Sequence, residues 1–106
     1  MNIPANAVLE AVHFRLKDGV KPEDFIQHAS AVQQRLEHYA GFLHRKLYQN
    51  ADGQWLDLVW WASYEQAIQG AEQLMQEAIA QNFLSDIDMS NLQMNHLHLA
   101  AFNIPA

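Results

Sequence analysis

The chain has no cysteine among its 106 residues. Disulfides, thiolate nucleophiles and cysteine-ligated zinc are therefore excluded. Lys and Arg are absent from residue 47 onwards. Residues 1 to 46 carry all six, Arg15, Lys17, Lys21, Arg35, Arg45 and Lys46, against five acids. Residues 47 to 106 carry seven acids and no Lys or Arg. A protein that grips a nucleic-acid backbone or an anionic membrane needs a basic stripe, and with a net charge of −6 this chain has none. Long apolar runs are missing too: Val59-Trp60-Trp61-Ala62 is typical, far short of a membrane span. The opening MNIPANAVLEAV lacks a basic start and a long apolar stretch, so neither a signal peptide nor a membrane is expected, and the expected location is cytoplasmic.

What is present is apolar: half of the residues, enough for one globular domain over 1–106. Val8 to Lys17 alternates as a strand does, with Val8, Glu10, Val12, Phe14 and Leu16 on one side and Leu9, Ala11 and His13 on the other. Asp18-Gly19 breaks it. Pro22, Glu23 and Asp24 open a helix, and Phe25, Ala29, Val32, Leu36 and Tyr39 form its apolar stripe up to a stop at Gly41. Phe42 to Gln49 and Gln54 to Ala62 read as two strands around the Asn50-Ala51-Asp52-Gly53 turn. Ser63 caps a second helix that continues through Ile79, with Gly70 inside it as a candidate point of close packing. Asn82 to Asn91 reads as a polar connection, and Leu92 to Phe102 as a fourth strand.

The order βαββαβ predicts an α+β, ferredoxin-like sandwich: an antiparallel four-stranded sheet with two helices on one face. Trp55, Val59 and Trp61 alternate with Leu56, Leu58 and Trp60, so both sheet faces are apolar. A second copy of the sheet is the simplest cover for the face without helices, which predicts a homodimer. Val59 and Phe14 mark one face that a partner would bury.

The chain resembles the dimeric α/β-barrel superfamily, and within it the small antibiotic-biosynthesis-monooxygenase-like proteins. The resemblance rests on Val8-Leu9-Glu10, Phe14-Arg15-Leu16-Lys17, Gly41-Phe42-Leu43-His44-Arg45, the run from Asp52 to Ser63, and Met94-Asn95-His96. It implies a dimeric barrel. Activities in the superfamily include metal-free and cofactor-free oxidation of polycyclic aromatics, haem degradation and chlorite dismutation. The haem-degrading branch needs a histidine on the second helix, and none occurs between Ser63 and Gln81. No metal and no organic cofactor is expected.

Four residues are candidates for chemistry. Glu10 and Asp57 are lone carboxylates in apolar strands, suited to proton transfer if buried. Arg45 could hold Asp57 or stabilise a developing oxyanion. A four-residue turn would set Lys46 opposite Asp57, and a shift of one residue would set Arg45 there. His96 carries an imidazole and is a candidate proton carrier. His96 and His98 share a strand face, and with Glu10 or His13 they offer a weak metal pattern. Trp55, Trp61, Phe14, Met94 and His98 are the candidate walls for a small hydrophobic or aromatic ligand. The expected function is binding of such a ligand, with cofactor-independent oxygenation or proton transfer as the enzymatic form. The alternative is a binding or interaction module without turnover.

Overall fold

A computed structural model describes residues 3–102. Seven elements follow one another: β1 (Val8–Leu16), α1 (Pro22–Leu36), β2 (Phe42–Gln49), β3 (Trp55–Trp61), α2 (Tyr64–Met75), α3 (Ala78–Ser85) and β4 (Ile87–His98). The strands form one antiparallel sheet in the order β2-β3-β1-β4. This is the expected α+β, ferredoxin-like arrangement, with three helices in place of two. None of the helices is long and apolar enough to cross a membrane.

The third helix corrects the reading of Asn82 to Asn91 as a connection. The chain leaves helical geometry at Glu77 (φ −98°, ψ 138°) and re-enters it as α3. The Glu77 carboxylate is held from α1's side: Arg35 Nε donates to it at 2.8 Å, and the Tyr39 hydroxyl also donates to it. Burial and this bond push the Tyr39 phenol up to about 12. The fourth strand starts five residues earlier than expected and stops at His98. Its first residues pair with the end of β1, Ile87 opposite Leu16 and Asp88 opposite Arg15, before a bulge restores pairing at Gln93.

The core lies between the sheet and the helices. Phe14, Trp55, Val59 and Trp61 are buried there beneath Phe25, Val32 and Leu36 of α1, Ala67 of α2 and Phe83 of α3. Phe14 and Val59 therefore pack against the protein's own helices, and the face open to a partner is the one bearing Leu9, Leu56, Leu58, Trp60 and Leu97. Gly70 on α2 lets the helix close onto Trp61: a Cβ there would stand 2.2 Å from the indole Cη2. Gly41, with φ +84° and Gln66 where a Cβ would be, makes the turn from α1 into β2.

Candidate active site

Strand pairing places the polar residues of the helix-covered face. Arg45 of β2 stands opposite Val59 of β3. Val59 stands opposite Glu10 of β1, and Glu10 opposite His96 of β4. Arg45, Glu10 and His96 thus share one rung across the sheet. Asp57 sits one rung along on the same face, opposite Val12 and Leu47.

Neither hairpin register expected from the turn is adopted. Asn50 accepts the backbone N–H groups of Asp52 and Gln54, and Gln54 O accepts from Asn50 N, so pairing begins at Gln49 with Trp55. Lys46 then faces Leu58 on the other side of the sheet. Arg45 reaches Asp57 diagonally, with Nε to Oδ1 at 2.9 Å and Nη2 to Oδ2 at 2.7 Å. Its Nη1 donates to the Ala29 carbonyl of α1 at 2.8 Å. The guanidinium also lies 5.6 Å from the Phe83 ring centroid. The pair is nearly sealed, at 5% and 10% side-chain exposure. Three of the five guanidinium N–H groups are engaged, and both Asp57 oxygens are occupied.

Glu10 is differently placed. The Trp61 indole Nε1–H donates to Oε1 at 2.9 Å, and no hydrogen bond among the described residues engages its other oxygen. Desolvation raises the Glu10 carboxyl above its ordinary value, and nearby Asp57 adds to the rise. The Trp61 hydrogen bond and the neighbouring His96 and Arg45 oppose it.

These groups form the polar side of a cavity of about 170 Å³ between the sheet and the helices. Glu10, Arg45, Asp57, Trp61 and Phe14 all line it. The remaining walls are apolar, with Leu36 from α1, Ala71 and Leu74 from α2, and Ala80 and Phe83 from α3. These helix residues were absent from the expected ligand wall. Their signal was the apolar stripe of each helix, which does not distinguish cavity lining from core.

The other candidates lie elsewhere. Trp55 is buried in the core against Phe25 and borders a separate hollow near the hairpin turn. His98 borders a third hollow with Leu9, Trp60 and Leu97. Met94 is half exposed on β4 and does not line the cavity. His96 neighbours Glu10 but stands beside the cavity, its ring edge-on to Tyr64 at 5.1 Å. His13 points to the opposite sheet face from Glu10 and His96. Among the described residues no three potential ligands cluster as a metal site would require.

No protein-family model matches the chain, and no curated protein is similar enough in sequence to count as a relative. Solved structures do match. SnoaB, a cofactor-independent oxygenase from Streptomyces nogalater, superposes with a TM-score of 0.72 at 10% identity, over 92% of this chain and 97% of its own. Two proteins provisionally named antibiotic biosynthesis monooxygenases match as well. The one from Nitrosomonas europaea has a TM-score of 0.71 at 11% identity, over 94% of this chain and 96% of its own. The one from Bordetella bronchiseptica has a TM-score of 0.71 at 13% identity, over 91% and 99%. The chain has the antibiotic-biosynthesis-monooxygenase-like fold. At these identities the likeness speaks for the fold, and the chemistry is argued from the residues of this chain.

Proposed function

We propose that the protein binds a small aromatic ligand between sheet and helices and oxygenates it without a cofactor, with Glu10 taking the substrate's proton. The observation that carries this reading is the Glu10 carboxyl. It sits in an apolar cavity, is oriented by the Trp61 indole N–H, and is raised by burial toward the range where a general base works. A phenolic O–H gives its proton to Glu10. The resulting electron-rich ring passes electrons to dioxygen and forms a C–O bond. One oxygen atom stays on the ring, as the carbonyl of a quinone, and the other leaves as water, taking the proton held by Glu10 and the hydrogen of the oxygenated ring carbon, so no external reductant is required. Arg45, its charge balanced by Asp57, offers the developing oxyanion N–H donors rather than a free cation. Asp57 holds Arg45 in place, and His96 stands opposite Glu10 on the neighbouring strand.

The test is oxygen uptake with a panel of phenols and quinols under air. Glu10→Gln should lower the rate by ~10²-fold or more, as loss of a general base does, while Glu65→Gln on exposed helix surface leaves it unchanged. Ligand binding without oxygen uptake would favour the second reading, a binding module. That reading draws on one observation: Arg45 and Asp57 already satisfy one another.

The same proposal includes a homodimer through the uncovered sheet face. Leu9, Leu56, Leu58 and Trp60 are only half buried there, and Leu97 is 48% exposed. His44 Nε2 beside Trp60 is buried and has no hydrogen-bond partner among the described residues, a group that a second sheet can satisfy.

A further inference from the structure

We propose that the cavity selects an uncharged, single-ring phenol whose hydroxyl donates to Glu10. This rests on the aromatic-ligand reading above and narrows it. Volume comes first. An apolar cavity of about 150 Å³ takes one benzene, and this one measures about 170 Å³. One ring with a hydroxyl and a small alkyl group fills it, whereas three fused rings exceed it.

Charge comes second. Among the described residues that line the cavity Arg45 is the only cation, and Asp57 neutralises it through two hydrogen bonds. The walls from α2, α3 and β4 carry no Lys or Arg, because the chain has none beyond residue 46. An anionic ligand would lose its hydration, meet no free cation and face Glu10. Benzoates, and larger anions such as haem propionates or flavin phosphates, are disfavoured on that ground.

Hydrogen bonding comes third. Among the described residues, the Glu10 oxygen left over by Trp61 is the one carboxylate oxygen of the cavity without a hydrogen bond. A ligand with one donor satisfies it, while a bare hydrocarbon leaves it unpaired. An ammonium would also donate, but apolar walls charge it the loss of its water shell.

Binding can be read without turnover from the Trp61 indole N–H in a nitrogen-15 NMR titration of the full chain at pH 7, assigned by its absence in Trp61→Phe. The expected result is saturable shifting of that signal by 4-methylphenol, with toluene, benzoate and benzylamine each at least tenfold weaker and 1-hydroxyanthracene without effect. Leu74→Ala should enlarge the cavity and improve 1-naphthol relative to 4-methylphenol by about fivefold or more. If that variant fails to fold, the wild-type panel decides alone. Binding of benzoate, benzylamine or 1-hydroxyanthracene at least as tight as that of 4-methylphenol would overturn the selectivity and leave the aromatic-ligand reading standing. If no aromatic compound perturbs Trp61, both fall.

Discussion

At the residue scale, two carboxylates one rung apart have opposite energetics. Asp57 is compensated, and Glu10 is exploitable. Removing the charge of Asp57 leaves the Arg45 guanidinium buried without its counter-ion, which typically costs ~3–5 kcal/mol. Asp57→Asn should therefore melt well below wild type, and adding Arg45→Met should recover a large part of the loss in a double-mutant cycle. A stable Asp57→Asn protein with weakened ligand binding would instead give Asp57 a direct role at the site. Glu10 runs the other way. Its folded-state pKa is raised, so its contribution to stability is complete below the ordinary carboxylate value of 4.5 and is lost as pH rises through the folded value. Glu10→Gln keeps an acceptor for the Trp61 N–H and carries no charge. It should melt higher than wild type at pH 8, and the gap should shrink toward zero below pH 4.5. Thermal melts across that range check it, and an equal gap at both ends would mean that burial of the Glu10 charge is not what sets its stability.

At the scale of elements, Gly70 shows how one backbone position supports the site. Ala is the better helix former by about 1 kcal/mol. Its Cβ would nevertheless stand 2.2 Å from the Trp61 ring, so the indole or α2 must move. Overpacking of this kind costs ~1–3 kcal/mol, and the expected net effect of Gly70→Ala is destabilisation together with a changed Trp61 indole N–H signal as its bond to Glu10 is disturbed. A more stable variant with an unchanged signal would show the contact to be soft. Sequence patterning revealed the four strands, α1, the start of α2 and the candidates Glu10, Asp57 and Arg45, because alternation and apolar stripes are local. It missed what distant contacts decide. The stretch Leu74 to Ile79 contains no Gly or Pro, yet the helix breaks there, at the residue, Glu77, that Arg35 and Tyr39 hold from some forty residues earlier. Asp88, Ser90 and Asn91 have loop composition but sit in a strand because the end of β1 offers Ile87 and Asp88 a partner. The Arg45–Asp57 contact was foreseen as an alternative, but its diagonal geometry depended on a turn one residue longer than assumed.

At the scale of the molecule, the uncovered sheet face is the main unfilled surface. Three rungs cross it: His44, Trp60, Leu9 and Leu97; then Lys46, Leu58, Ala11 and Asn95; then Tyr48, Leu56, His13 and Gln93. None of these twelve is Asp or Glu, although the chain carries a net charge of −6. Two acidic copies can meet here with little repulsion, burying leucine and tryptophan area whose exposure would otherwise favour nonspecific association. Light scattering at micromolar concentration should give twice the monomer mass. Leu58 lies in the middle rung, so Leu58→Glu should give a folded monomer, because the charge meets water once the partner leaves. Val59→Glu, one residue along, points into the core and should instead unfold the chain. A wild-type protein that scatters as a monomer would refute the dimer. A Leu58→Glu protein that still dimerises would move the contact to another surface.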